Sequence, residues 1–247
     1  KTYLEGKMHF GGTVQFGGFD ARTYGDLTGQ SAHQAEPPTQ YSHPPDYRRL
    51  LSEVGTTMIP ESLLQETRTV EEAVATLREH RHDNPDQPWF LCASFSRPHW
   101  PRTAPSRFVD QYWPDTVPEP VVSGGETDDH PLVEACAERT ASKEFSHAEM
   151  MRARAGYFAA VEYIDEIIGD FILRLEDSEF LKDTIIIYMS DHGELAGEHG
   201  LWEKRTWHEA ATRVPFFVQL PAHRDAAETP GSVQTPVSLL DLYPTLC

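Results

Sequence analysis

The chain has 247 residues, enough to bury one large core, with 39% hydrophobic and 24% charged residues, an ordinary globular balance. Its formal net charge of −18 disfavours nucleic acid and anionic membranes as partners, and no run approaches the ~20 apolar residues of a membrane span. Cys92, Cys136 and Cys247 are spaced like neither a disulfide framework nor a zinc site, and Cys92, inside an apolar run, reads as a buried inert thiol.

From the amino end, Thr2-Tyr3-Leu4 reads as a strand already in progress, followed by Gly6, Lys7 and His9. On an extended backbone Lys7 and His9 point to the same side, an arrangement suited to an anion. Residues 11–58 show no sustained period and form an irregular insert, read as a binding loop or as disorder. Within it, His33 and His43 are either pocket-lining or solvated. Thr69 with Glu72 fits a capping box, opening a helix whose Val70, Ala73, Val74 and Leu77 follow helical spacing. That helix should end near His80 to Asp83, before the breaker run Asn84-Pro85-Asp86-Gln87-Pro88. Trp89 to Phe95 reads as a strand leading into Ser96-Arg97-Pro98-His99-Trp100-Pro101. The two prolines restrict the backbone around His99, which is either a plain loop histidine or a pre-positioned acid or hydrogen-bond donor.

Residues 102–147 read mostly as a loop excursion. A long helix is expected from about Ser146 to Leu175, with Tyr157, Val161, Ile164, Ile168, Phe171 and Leu175 forming an apolar stripe for the core. Ile185 to Met189 reads as a strand buried on both faces, ending at Ser190-Asp191-His192-Gly193. In open α/β sheets, ligands bind beyond the carboxyl ends of strands. A carboxylate and an imidazole there, with Lys204, Arg205 and Arg213 before a second strand-like run at Val214 to Leu220, suggest a metal and an anionic substrate. Residues 237–246 look like a helix just begun, so the chain reads as a fragment, with any targeting signal upstream of Lys1. The alternation of strands and helices predicts one domain, α/β, with a mostly parallel sheet and helices on both faces.

Several stretches together resemble the sulfatases of the alkaline phosphatase superfamily. They are GKMHF at 6–10, RPHWP at 97–101, AAVEYIDEIIG at 159–169, SDHGELAGEHGLWEK at 190–204, ATRVPFFVQLP at 211–221 and VSLLDLYPTL at 237–246. DHG alone is a weak match; the ordered set of lysine-x-histidine, histidine-x-proline and DHG is specific. GKMHF is similar to the choline-sulfatase and phosphonate-monoesterase branches, and RPHWP with the following APSRFVDQY to iduronate-sulfatase-like members.

The resemblance implies an alkaline-phosphatase-like α/β/α sandwich, truncated at both ends, that hydrolyses small-molecule or carbohydrate sulfate esters. A phosphonate monoester or phosphodiester hydrolase and a non-catalytic anion-binding relative are the alternatives. It implies that Asp191 and His192 ligate a divalent cation, calcium first, with manganese or magnesium as alternatives. It implies that Lys7 and Lys204 hold the sulfate oxygens. It assigns His9 to orienting or deprotonating the nucleophile, and His99 to donating to the leaving oxygen or the sulfate. Arg205 has no fixed role in the family pattern, and Arg213 is expected to brace the turn into the second strand. The family's nucleophile is a formylglycine made from cysteine in C-x-P/A-x-R. Neither Cys92, in CASFS, nor Cys136, in CAERT, fits, so it is expected upstream of Lys1. Thr103-Ala104-Pro105-Ser106-Arg107 imitates the motif but follows His99 in chain order and is rejected as the nucleophile.

Overall fold

The computed structural model describes residues 1–10, 14–25, 54–122, 130–140, 144–224 and 231–247. Its elements are β1 (Thr2–Gly6), β2 (Ala21–Tyr24), β3 (Val54–Thr56), α1 (Gln65–Asp83), β4 (Phe90–Ser94), β5 (Arg102–Ala104), α2 (Ser106–Tyr112), α3 (Pro131–Thr140), α4 (His147–Asp177), β6 (Ile186–Met189), α5 (Glu209–Thr212), β7 (Phe216–Gln219) and α6 (Leu242–Leu246). β1 lies between β2 and β4, parallel to both, and β3 pairs in parallel with β5. β7 runs antiparallel to β6. The structure is thus α/β with mostly parallel pairing, as the alternation predicts, and the β6–β7 pair is the exception. No helix among the described residues is long and apolar enough to cross a membrane.

α1 begins at Gln65, four residues before the expected cap at Thr69. Thr69 is inside the helix, its hydroxyl donating to the Gln65 carbonyl at 2.9 Å, so the Thr69–Glu72 pair is not a cap. The first turn is set instead by tertiary partners: Gln65 and Glu66 are fully buried and accept backbone N–H groups of the 94–97 segment. The apolar face follows the expected spacing, with Val70, Ala73, Val74 and Leu77 buried against Phe171 and Leu175 of α4. Full burial of one such Val or Leu side chain contributes about 1.5–3 kcal/mol.

α4 has a complete capping box at Ser146 and Glu149, where each side chain meets the other's backbone N–H. Its buried face is smaller than the expected stripe: Ala153, Ala155, Ala159 and Ala160 are buried with Tyr163, Ile164, Phe171 and Leu175, while Val161 is 39% exposed. Small side chains let α4 lie close to β5 and α2, where Ala159 and Tyr163 meet Ala104 and Phe108. Two further readings are corrected. Among its described residues, segment 102–147 is not mostly loop, since it holds β5, α2 and α3. Likewise 11–58 contains β2 and the whole of β3. His33 and His43 lie outside the described residues. β6 is not buried on both faces, because Tyr188 and Met189 are 39% and 37% exposed along an open cavity.

β1 delivers the first site residue by ending on Gly6 (φ 91°), after which Lys7 N–H donates to the Ser94 carbonyl at 2.9 Å. Its penultimate residue, Glu5, is buried and accepts from Thr23, Tyr24 N–H and Thr76, tying β1 to β2 and α1. Burial holds the Glu5 carboxyl above its ordinary pKa. A Cβ added at Gly6 would lie 2.0 Å from Ser94 O. Gly6→Ala is therefore expected to destabilise the protein by about 2–5 kcal/mol, combining left-handed strain and overpacking, as read by chemical denaturation.

Candidate active site

Three strand ends open into one cavity of about 2300 Å³. Lys7 and His9 follow β1, His99 follows β4, and Asp191 and His192 follow β6, with Lys204 on the loop beyond. All six predicted site residues line this cavity. Lys7 and His9, His99, and Asp191 to Lys204 come from three stretches far apart in the chain; the convergence of carboxyl ends unites them.

The 96–99 turn is held from beneath by the first turn of α1. Ser96 N–H donates to Gln65 Oε1 at 2.9 Å and Arg97 N–H to Glu66 Oε1 at 3.0 Å. The Arg97 guanidinium also pairs with Glu66 Oε2, with both side chains almost wholly buried, and its Nε donates to Thr103 O at 2.8 Å. Thr103 is buried, and its hydroxyl lies 3.5 Å from Arg97 Nη2.

His99 Nδ1 lies 2.9 Å from Trp100 O. A carbonyl can only accept, so Nδ1 carries the proton and Nε2 presents a lone pair. Lys204 Nζ sits 3.1 Å from that Nε2 and donates to it. Burial, then Lys7 and Lys204, and finally Arg102, drive the His99 pKa down to about 2. Lys204 is itself lowered by burial, against the opposing pull of Glu203, Glu194 and Asp191. The pair thus carries one shared proton more readily than two. The expected donor role of His99 meets a ring whose Nε2 is an acceptor in this arrangement.

The second pair lies across the cavity, with the His192 ring 6.3 Å from that of His99. His192 Nδ1 donates to Gly193 O at 2.8 Å, which again leaves Nε2 as an acceptor. Asp191 Oδ2 is 3.6 Å from it, beyond hydrogen-bond range, so two lone-pair donors face one region without sharing a proton. Asp191 is 80% exposed in its side chain, and its Oδ1 accepts the His192 N–H at 3.0 Å. A carboxylate oxygen and a neutral imidazole nitrogen suit a divalent cation, as two donors of a larger set. Among the described residues, no three His, Cys, Asp or Glu side chains cluster closely enough to complete one. Gly193 fits only as glycine: its N–H donates to Ala211 O at 2.8 Å, and an added Cβ would lie 2.0 Å from Ala210 O.

The remaining assignments divide. His9 is exposed at the cavity edge in a left-handed conformation (φ 55°). Residues 7–10 lie past the end of β1, so the strand alternation that put Lys7 and His9 on one side does not apply. Arg205 also lines the cavity, with its side chain 49% exposed and 3.9 Å from Glu203. Arg213 does not brace the β7 turn with its side chain, which is 83% exposed and 3.8 Å from Glu209. Cys92 is half-buried rather than buried, and desolvation of its thiol pushes it up to about 11, which keeps it unreactive. Sequence reasoning missed Gln65, Glu66, Arg97, Arg102 and Glu194. Each is polar and buried against a partner at least 6 residues away, so no local spacing marks it.

The sequence profile described as "Sulfatase" matches residues 1–247. The chain is 31% identical over 266 aligned positions to the choline-sulfatase of Rhizobium meliloti (strain 1021), covering 99% of this chain and 49% of that protein. It is 29% identical to the iduronate 2-sulfatase of Mus musculus, covering 71% of this chain and 34% of the relative. The chain therefore spans half or less of the length of these relatives. Its fold is similar to that of the phosphonate monoester hydrolase of Agrobacterium radiobacter, with a TM-score of 0.60 at 23% identity, covering 70% of this chain and 36% of that one.

Two outcomes follow from the geometry. His99 has a folded-state pKa near 2 against an ordinary 6.5, so below pH 6.5 the unfolded chain binds a proton that the folded chain refuses. Its contribution is complete above pH 6.5 and lost as pH falls toward 2, at up to about 1.4 kcal/mol per pH unit. His99→Gln should flatten the acid limb of stability by that slope, and NMR should show no His99 titration between pH 8 and 4. Glu66→Ala leaves Arg97 buried and uncompensated, and is expected to cost about 3–5 kcal/mol in denaturant unfolding.

Proposed function

This chain belongs to the sulfatase family, and from that premise we propose that the protein hydrolyses sulfate esters of small molecules or carbohydrates. The observation that carries this reading is the convergence of Lys7, Lys204 and His99 on the wall that also holds Asp191 and His192. In a protein of net charge −18, a local cluster of cations at a strand-end cavity is a place built for an anion. The reading adds a formylglycine nucleophile, for which these 247 residues contain no C-x-P/A-x-R sequence.

Each residue then has a physical task. The Lys7 and Lys204 ammonium groups hold peripheral sulfate oxygens and oppose the charge that builds on them in the transition state. The proton shared by Lys204 Nζ and His99 Nε2 is the one available to the departing alkoxide. An incoming sulfate offsets the two lysine charges that suppress His99 protonation, so substrate binding favours the protonated imidazole that can hand a proton to the leaving oxygen. His9, at the cavity edge, orients or deprotonates the nucleophile. Asp191 and His192 fit a divalent cation of the kind sulfatases generally use, calcium in our reading, which when bound would supply further positive charge beside the sulfate.

The test uses the full-length protein with 4-nitrophenyl sulfate and an aryl phosphonate ester. Sulfate-ester turnover is expected to dominate, chelation to abolish it, and Lys204→Ala to lower kcat/KM about 10²–10³-fold. Asp191→Ala should weaken calcium binding at least about tenfold by calorimetry. Dominant phosphonate turnover would overturn the reading, and unchanged calcium affinity would overturn the ligand assignment.

A further inference from the structure

Lys204 stands between two left-handed non-glycine residues, Glu203 (φ 68°) and Arg205 (φ 100°). Side-chain-bearing residues rarely adopt such a backbone, and two around one functional lysine must be held there by other contacts. The contact that does so comes from Glu194, two residues after His192. Its Oε1 accepts the Glu203 N–H at 2.5 Å and the Ala196 N–H at 3.3 Å. Its Oε2 takes the Arg102 guanidinium at 2.9 Å, with the two side chains 9% and 1% exposed. Arg102 in turn lies 4.9 Å over the ring of fully buried Trp202. Leu195 N–H donates to Glu203 O at 2.8 Å, closing the loop on its other side.

One carboxylate therefore joins three segments that meet at the cavity: the 191–194 turn, the Lys204 loop and the strand that follows the His99 turn. We propose that Glu194 is the positioning residue for Lys204: held by Arg102, it fixes the backbone at Glu203 and so aims the Lys204 ammonium at His99 Nε2 and the substrate anion. This rests on the sulfate-ester reading for its kinetic consequence, but the aiming of Lys204 is independent of turnover. Glu194 lines the cavity, but its two oxygens are taken by the Ala196 and Glu203 N–H groups and by Arg102. It acts through the Glu203 peptide, and its removal should show as a weakened anion site rather than as a missing chemical group.

The experiment uses the full-length protein and the variants Glu194→Gln, Glu194→Ala and Glu194→Asp. It reads kcat and KM for 4-nitrophenyl sulfate, the affinity for inorganic sulfate by calorimetry, and Tm. Glu194→Ala is expected to lose about 100-fold in kcat/KM and at least about tenfold in sulfate affinity. Glu194→Gln keeps an oxygen for the Glu203 N–H and should return to within about tenfold of wild type in kcat/KM, despite losing the Arg102 ion pair. Should Glu194→Ala not fold, Glu194→Asp decides: it keeps the charge beside Arg102 but is one methylene short of Glu203, and should lose at least about tenfold in sulfate affinity. A purely structural role would lower Tm in all three while leaving sulfate affinity of the folded protein within twofold of wild type, and that result overturns the proposal. A wild-type protein that turns over no sulfate ester overturns the functional reading instead. The sulfate affinities of the variants still decide the role of Glu194.

Discussion

The buried pairing of Glu66 with Arg97 is the constraint from which the site's geometry follows. A salt bridge at this depth is weak evidence for stability, because desolvating both charges offsets most of their attraction. What it supplies here is position. Glu66 and its neighbour Gln65 begin α1, and their acceptor oxygens take backbone N–H groups of Ser96 and Arg97. Arg97 then spends its remaining donor capacity on Thr103 at the start of the next strand pairing. Strand β4, the His99 turn and β5 are thereby fastened to a helix that is itself anchored by Val70, Val74 and Leu77 against α4. The polar clamp is exacting because any slack would leave buried donors unpaired.

The carboxylates of this acidic chain are used in two ways. Most lie on the surface, where they set net charge and little else. Glu5, Glu66 and Glu194 are buried, and each accepts backbone N–H groups from a segment distant in sequence. Carboxylates also line the cavity, Asp191 with an exposed side chain and Glu194 with both oxygens engaged, alongside Lys7, Lys204 and the lowered imidazole of His99. The buried acids build the frame, and the cations and imidazole of the wall stand among them.

Much of this was legible in the sequence where the signal is local. The α4 boundaries follow from Ser146 and the apolar recurrence, and the Asp191-His192-Gly193 turn follows from an apolar run that stops abruptly. The reading failed where a tertiary partner outweighed local preference. Thr69 looks like a cap, yet α1 starts earlier because Gln65 and Glu66 have buried partners about 30 residues on. Val161 belongs to the helical stripe by spacing, yet it is exposed, since α4 approaches β5 through alanines. Ile185 to Met189 has the composition of a doubly buried strand, but it runs along the cavity. Short segments such as β3 and β5 have too few residues to display a period, and only their mutual pairing defines them. Glu194 and Arg102 are 92 positions apart, so nothing in either neighbourhood announces the pair.

The protonation state of His99 joins frame to chemistry. Its Nδ1–H is committed to Trp100 O by the same turn that Glu66 and Gln65 hold in place. That commitment fixes the tautomer and leaves Nε2 as the acceptor for Lys204. Were the turn free to rotate the ring, the imidazole could present a proton and repel the lysine, and the two groups would separate. With the ring fixed, the two nitrogens at 3.1 Å hold one proton between them. The barrier to a second proton is electrostatic, set by burial and by Lys7, Lys204 and Arg102. It falls when a negative charge enters. Protonation of His99 is thereby coupled to the charge of what enters the cavity, through distances that the α1 clamp and the Glu194 contacts maintain.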